Sequence, residues 1–374
     1  MTAWTRQQAA AAATTPDARL PVIGVGDVAP IDPARDLWDM WQIMRADGST
    51  AIVDGRQWWF FLAVPRAADP EARHDAARIR LYSRGADGWR DHGAAFPDGF
   101  SPGSREWSGS AVLADDAAAL TMHFTAAGWR TGGPRFAQRL FETCGRFDHG
   151  RLSGWSEPVE TARADGLSYR VADDDVPTDD RIKGFRDPGY FRDPATGREH
   201  ILFTGSAPGV ADVHDGVIGL ATRGADGWAL RPPIVTAIGV NSELERPHIV
   251  VRDGLYYLFW STQAKRFAPG IGAPTGLYGM VAEAIDGPWR PINGSGLVAG
   301  NPAAEPFQAY CWWVTGEGEV ISFVDYWGLD GGTPAHGIGY RRERFGGTAA
   351  PVFRLAFAGD TVRIAAVATA NRAA

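Results

Sequence analysis

A glycine-led tryptophan turn comes back four times along this chain, as "DGWRD" at Trp89, "SGWSEP" at Trp155, "DGWALRPP" at Trp228 and "DGPWRPI" at Trp289, at intervals of 66, 73 and 61 residues. Two copies share "RGADGW" letter for letter, at residues 84–89 and 223–228. Between the turns lie short apolar and aromatic runs such as "GRQWWFFLAV", "ARIRLYSR", "REHILFTGS", "GLYYLFWST" and "EVISFVDYW". Such runs read as strands, and helical periodicity is scarce beyond the first residues. A turn recurring at the interval of one small sheet is what radial repetition of four-stranded sheets leaves in a sequence. The pattern predicts an all-β fold: a five-bladed β-propeller with four-stranded antiparallel blades around a central funnel.

The count of five follows from what each turn leads into. If the tryptophan turn opens the outer strand of a blade, the next segment is the innermost strand of the following blade, facing the axis. Those segments are "DLWDMWQI" from Asp36, ahead of the first turn, then "REWSGSAVL" from Arg105, "FRDPGYF" from Phe185, "ELERPHIV" from Glu243 and "QAYCWWV" from Gln308. Each starts polar or charged and then turns apolar. Charges at a strand start are costly if buried without partners. At a funnel mouth they can converge on a ligand while the strand beyond packs into its blade.

The formal net charge of −7 and a pI near 5.6 oppose a phosphate backbone, and no basic stripe counters them, so nucleic acid is not an expected partner. Cys144 and Cys311 are too few for a disulfide framework, and neither has a second Cys or His at zinc spacing. Both read as buried, unreactive thiols. Residues 1–30 read as a polar, briefly helical N-terminal arm without the basic cluster and apolar core of a cleaved leader, and residues 31–374 as one propeller domain. No apolar run approaches membrane-spanning length. The expectation is a cytoplasmic protein, or one exported without a cleaved leader.

Three carboxylates stand at inner-strand starts: Asp39 in "LWDMW", Asp187 in "FRDPG" and Glu245 in "LERPH", the last two beside Arg186 and Arg246. Retaining cleavage of a glycosidic bond uses a carboxylate nucleophile and a carboxylic acid about 5 Å apart around an oxocarbenium-like transition state. A third carboxylate can orient ring hydroxyls. Taken singly, Asp187 could pair with Arg186 at a turn, and Glu245 could form a structural ion pair with Arg246. Asp39, set close to Trp38 and Trp41, has fewer bland explanations. Their joint arrival on one axis is what points to chemistry. Trp38, Trp107, Trp312 and Trp313 offer faces for the C–H patches of a sugar ring, Trp107 with its neighbour Ser108 foremost and Trp38 next, although each alone reads as core.

These segments, in this order and with "YGMVAEAIDGPWRPINGSGLVAGNP" ahead of the last, resemble glycoside hydrolase family 68: the levansucrases, inulosucrases and bacterial β-fructofuranosidases. The similarity runs from about Trp38 to the C-terminus and is greatest in the Gram-negative branch. It implies a five-bladed propeller that cleaves sucrose by double displacement, with sucrose and small sugar acceptors as partners and no cofactor. By motif match, Asp39 is implied as the nucleophile attacking C2 of the fructosyl unit, Glu245 as the acid/base and Asp187 as the transition-state stabiliser. Trp38, Trp107 and Ser108 match positions lining the fructosyl pocket. Arg186, Glu243 and Tyr310 match positions that hold the glucosyl side or support the acid/base, and Arg246 is placed with them as substrate-binding. An arginine beside Glu245 lowers its pKa while burial raises it, and the chemistry needs burial to prevail.

The departures from the family also carry expectations. Calcium-containing relatives place an Asp just before the acid/base motif, where this chain has Ser242, and another acid where Arg181 falls. No structural calcium is therefore expected, and the acidic run "ADDDVPTDD" at 172–180 reads as a solvated loop. Polymer-making relatives carry Arg or His four residues after "YLF", where this chain has Gln263, a further substrate-binding candidate. The region between Tyr169 and Phe185 reads as trimmed. Both features lean toward water or small acceptors and short products. Two other readings stand beside this one. One is a furanosidase of another five-bladed family, such as an arabinan-acting enzyme, against which "EWSGSA" and "ERPH" speak. The other is a catalytically silent sugar-binding propeller, against which the three carboxylates speak.

Overall fold

The computed structural model describes residues 1–171 and 182–367, so the acidic run at 172–180 and Arg181 lie outside the described residues. Five antiparallel sheets follow one another along the chain. Blade 1 comprises Arg35–Met44, Arg56–Pro65, Arg78–Gly85 and Gly88–Ala94. Blade 2 comprises Arg105–Leu113, Ala119–Ala127, Gln138–Asp148 and an edge broken into Arg151–Ser153 and Val159–Ala162. Blade 3 comprises Phe185–Arg192, Glu199–Ser206, Gly216–Gly224 and Gly227–Thr236. Blade 4 comprises Glu245–Arg252, Leu255–Thr262, Gly276–Ala282 and a broken edge of Arg290–Pro291 and Leu297–Gly300. Blade 5 comprises Ala309–Val314, Glu319–Tyr326, a third layer split into Phe345–Ala349 and Phe353–Ala358, and Thr361–Val367.

The five first strands are the segments that the sequence placed on the axis, and each contacts the first strands of both neighbouring blades, closing a ring. Second strands are covered on both faces by adjoining blades, which is why "WWFFLAV" and "YYLFWST" read as continuous apolar runs rather than alternating ones. The recurrent tryptophans cap the outer edges. Trp89 packs edge-on against Phe61 at 5.4 Å, Trp155 against Phe96 at 5.0 Å, and the Trp228 indole N–H donates to Glu142 of blade 2 at 3.1 Å.

Three seams between blades use one device. The Thr125 hydroxyl accepts the Asp187 N–H at 2.9 Å, the Thr204 hydroxyl accepts the Arg246 N–H at 3.1 Å, and the Ser261 hydroxyl accepts the Trp312 N–H at 3.0 Å. Blades 1 and 2 are joined by parallel pairing of Ile43 with Ala111 and Met44 with Val112. Between blades 5 and 1, the described strands are not exchanged. Ion pairs close that seam instead: Arg342 grips the buried Asp36 through both carboxylate oxygens at 2.7 and 3.0 Å, Arg341 reaches Asp69 at 2.8 Å, and Arg84 reaches Glu319 at 2.6 Å. Removing Arg342 would leave a buried charge uncompensated, a loss of about 3–5 kcal/mol.

The N-terminal arm is a packed strap. Thr2–Ala3 adds a parallel strand to the edge of blade 3, and Trp4, 1% exposed, wedges among Trp260, Phe267 and Tyr278 of blade 4. The short helix Arg6–Ala11 starts with a Thr5/Gln8 capping box. Further on, Gln308 of blade 5 bonds Pro21 and Ile23 of the arm at 2.8 and 2.9 Å. One expectation fails: Cys144 is exposed, because alternate residues of its strand Gln138–Asp148 face solvent on the outer side of blade 2, whereas Cys311 is buried. Among the described residues, no helix is long and apolar enough to cross a membrane.

Candidate active site

Every first strand carries a β-bulge at the same height. Register slips by one residue between Trp38 and Trp41, Trp107 and Gly109, Arg186 and Gly189, Glu245 and His248, and Tyr310 and Trp313. At four of these bulges a non-glycine residue sits in the left-handed region: Asp39 (φ 46), Asp187 (φ 63), Arg246 (φ 55) and Cys311 (φ 54). Each such residue costs about 1–3 kcal/mol and persists only where its surroundings hold it, which is typical of functional sites. A bulge re-aims side chains and ends regular pairing. The prolines of "RDP" and "ERP", Pro188 and Pro247, fall inside these bulges, where the ladder needs no N–H.

The bulges bring the carboxylates within electrostatic range of one another, Asp39 of Asp187 and Asp187 of Glu245. Ser108 Oγ donates to Asp39 Oδ2 at 3.2 Å, tying blade 2 to blade 1. Asp187 Oδ2 accepts the Thr204 hydroxyl at 2.9 Å and lies 3.6 Å from Arg186 Nε. Arg186 reaches across to blade 4, donating Nη2 to Glu245 Oε1 at 2.7 Å and standing 3.8 Å from Glu243 Oε2. The Tyr310 hydroxyl of blade 5 donates to the other Glu245 oxygen. Glu243 pairs with Arg266 Nε at 3.0 Å, and its N–H is fixed by Asn241 Oδ1 at 2.8 Å. Asn241 is in turn held by Thr262.

Burial decides the protonation pattern. It pushes the Glu245 carboxyl up to about 7, helped by the Glu243 and Asp187 charges and only partly offset by Arg186. Burial also raises Asp187 above the usual carboxylate range, with Asp39 adding to the rise and Arg186, Arg246 and the Thr204 hydroxyl opposing it. A carboxyl that keeps its proton near neutrality, in one pocket with a second carboxylate, is the acid/base arrangement of retaining glycosidases.

Of the residues expected at the site, Asp187, Arg186, Glu243, Glu245 and Tyr310 are linked by these contacts, and Asp39 with Ser108 forms a second pair within electrostatic range of Asp187. Trp38, beside Asp39, is 1% exposed and covered by His74 at 5.9 Å and Arg73 at 5.8 Å, so it lacks an open face, and Trp107 lies under Arg105 at 5.3 Å. Trp312 is fully buried and Trp313 stacks on His248 at 4.3 Å, so neither offers an open face to a sugar. Gln263 is half-buried at the start of the rim turn Ala264–Arg266, and its side chain does not cap that turn. Arg246 is 2% exposed and turns toward backbone carbonyls.

Sequence reasoning missed Arg266, Thr204 and a group beside Trp38 made of Arg73, His74 and Asp325. Asp325 of blade 5 has a buried oxygen without a hydrogen-bond partner, and burial pushes its carboxyl up to about 7. The second-strand hydroxyls left a faint signal, the repeated aromatic-hydroxyl endings "HFT" at Thr125, "LFT" at Thr204 and "FWS" at Ser261.

This fold and site define a class: a propeller glycosidase whose three carboxylates come from the inner strands of three blades. The chain belongs to glycoside hydrolase family 68, described as levansucrase/invertase, which matches residues 1–215 and 207–370. It is 33% identical over 367 residues to a levansucrase of Pseudomonas savastanoi pv. glycinea, covering 87% of this chain and 84% of that one. A levansucrase of Zymomonas mobilis subsp. mobilis is 33% identical, over 95% of this chain and 88% of its own. Among solved structures, an inulosucrase from Halalkalicoccus jeotgali bound to kestose superposes with a TM-score of 0.90 at 36% identity, covering 100% and 97% of the two chains. Bacillus subtilis levansucrase, at 17% identity and a TM-score of 0.82, shares the fold.

Proposed function

We propose that the protein cleaves sucrose with retention and passes the fructosyl unit to water or a small sugar acceptor. Asp39 attacks C2 of the fructosyl unit while neutral Glu245 gives its proton to the glycosidic oxygen, and glucose leaves. The resulting fructosyl ester on Asp39 is then attacked by water or a sugar hydroxyl, whose proton returns to Glu245, now a carboxylate. Asp187, held by Thr204, accepts hydrogen bonds from fructosyl hydroxyls as charge develops at the ring. Arg186 serves both carboxylates from one guanidinium, and with Glu243 it faces the glucosyl side. Trp107 and Ser108 wall the fructosyl side, with Trp38 packed behind Asp39.

The observation that carries this reading is the Glu245 carboxyl, half-buried and held between Arg186 and Tyr310, an environment that pushes its pKa up to about 7. The relatives named as levansucrases and the kestose-bound inulosucrase support the choice of sugar. At the rim, Gln263 offers a neutral amide where a longer or charged side chain would hold a growing fructan, which favours short products. The deciding experiment follows free glucose and free fructose separately during incubation with sucrose, with Asp39→Ala as the blank. Equal release assigns water as the acceptor, excess glucose assigns transfer, and no release above the blank overturns the proposal, reviving the silent sugar-binding reading.

A further inference from the structure

Arg246 stands at the blade 4 bulge, the position that Asp39, Asp187 and Cys311 hold in blades 1, 3 and 5. Its backbone N–H is fixed by Thr204, but its side chain leaves the mouth. Nη2 donates to the Met40 carbonyl, Nη1 donates to the Cys311 carbonyl at 3.4 Å, and the guanidinium lies 5.4 Å from the Trp313 ring. Met40 directly follows Asp39 inside the blade 1 bulge, and Cys311 is the blade 5 bulge residue itself. Blades 4 and 1 are not neighbours in the ring, so this one side chain ties three bulges together across the axis. Trp313 also lines a cavity of about 510 Å³, together with Gln42, His248, Val250 and Glu317. Those residues come from the far ends of the inner strands and the turns after them, so Arg246 lies between the carboxylates and the opposite end of the channel.

We infer that Arg246 is a positioning residue for Asp39: it clamps the carbonyls of the blade 1 and blade 5 bulges and so holds the left-handed backbone that presents the nucleophile, rather than contacting the sugar. A charged donor on the carbonyl next to Asp39 resists the peptide rotation by which the strained bulge would relax into regular strand. Two bonds from one planar guanidinium fix the bulges of blades 1 and 5 relative to each other, a task that a single ammonium performs only in part. The inference rests on Asp39 being the nucleophile.

The test compares Arg246→Met and Arg246→Lys with the unaltered protein in sucrose kcat and KM. Sucrose Kd is measured by calorimetry in Asp39→Asn with and without Arg246→Met. A nucleophile displaced by about 1 Å loses on the order of 100-fold in kcat. The expected result is a kcat loss of that size for Arg246→Met, partial recovery in Arg246→Lys, and KM and Kd within about twofold. A tenfold weaker Kd with kcat preserved assigns Arg246 to the sugar and overturns the inference, as does an unchanged kcat. If Arg246→Met does not fold, the same kcat–KM split in Arg246→Lys decides. If Asp39→Asn itself releases glucose at the original rate, the nucleophile reading fails first, an outcome distinct from neutral Arg246 variants.

Discussion

On the blade 3–4 side of the mouth, charges stand in contact. Arg186 is 2.7 Å from Glu245, 3.8 Å from Glu243 and 3.6 Å from Asp187, and Arg266 shares the same Glu243 oxygen at 3.0 Å. On the blade 5–1 side, Asp39 has the Ser108 hydroxyl at 3.2 Å, and Asp325 keeps a buried oxygen with no hydrogen-bond partner, beside aromatic Trp38 and a His74 held neutral by burial and Arg73. On the proposed roles, the first wall moves the proton, with donors aimed at the Glu245 carboxyl. On the same proposal the second forms the bond, with Asp39 held by the neutral Ser108 hydroxyl and Cys311 thiol. Charged partners around the proposed acid and neutral ones around the proposed nucleophile are a division of labour between the two walls.

The most severe way to break this contrast is to silence the bond-forming wall. Asp39→Asn should lower the glucose release rate by about 10⁴-fold or more, with the unfolding midpoint nearly unchanged. On the opposite wall, Glu245→Gln should cost about 10²–10⁴-fold with sucrose and far less with a fructosyl donor whose leaving group needs no proton. In the unaltered protein kcat/KM should fall as pH rises through about 7, because the acid must be protonated.

The same proton has a consequence for stability. Folded Glu245 holds it more tightly than the unfolded chain does, so this contribution is fully present below about pH 4.5 and is lost as pH rises toward 7, up to about 3 kcal/mol in all. The drop in melting temperature between pH 5 and pH 8 should therefore be smaller in Glu245→Gln. An equal drop would show that the wired wall carries no such penalty.

Thr204→Val removes the hydroxyl that serves Asp187 and the Arg246 N–H together, and should cost about 1–3 kcal/mol of stability and about tenfold in rate. Ser108→Ala, which touches Asp39 alone, should cost about 1 kcal/mol or less in transition-state energy, a several-fold rate loss. The smallest rate effect is expected at the rim. Gln263→His should leave glucose release within about twofold while lengthening the products on a chromatogram, since a rim group acts on acceptor binding rather than on the bond broken. Unchanged product length would remove Gln263 from acceptor binding.

The inner strands and their carboxylates were legible because a funnel-facing strand start must be polar while the remainder must be apolar, a pattern that survives in a single sequence. The bulges were not legible: "LWDMW" and "LERPH" contain the extra residue, but a bulge exists only relative to the partner strand, here Phe60–Leu62 and Phe259–Ser261. Without the bulge, Arg246 beside Glu245 reads as a second mouth arginine. With it, the two side chains part company. Asp325 and Arg73 escaped for a related reason: neither lies on an inner strand, and Asp325 comes within range of Arg73 and Asp39 only when blade 5 is brought against blade 1. The tryptophan turns revealed the number of blades, while Trp4 went unread because the arm lacks any repeat to compare it with.

The seam closed by Arg342 and Asp36 sets the order of events during synthesis. Asp39, Asp187 and Glu245 have all left the ribosome once about 300 residues are made, yet the tyrosine on Glu245 and the arginine on Asp36 are still to come. Until blade 5 is inserted between them, blades 1 and 4 share the Arg246–Met40 contact across the axis but no strand packing at the gap. The nascent chain thus carries the three carboxylates proposed to react before their blade 5 partners exist, and activity is expected only once the last blade is in place.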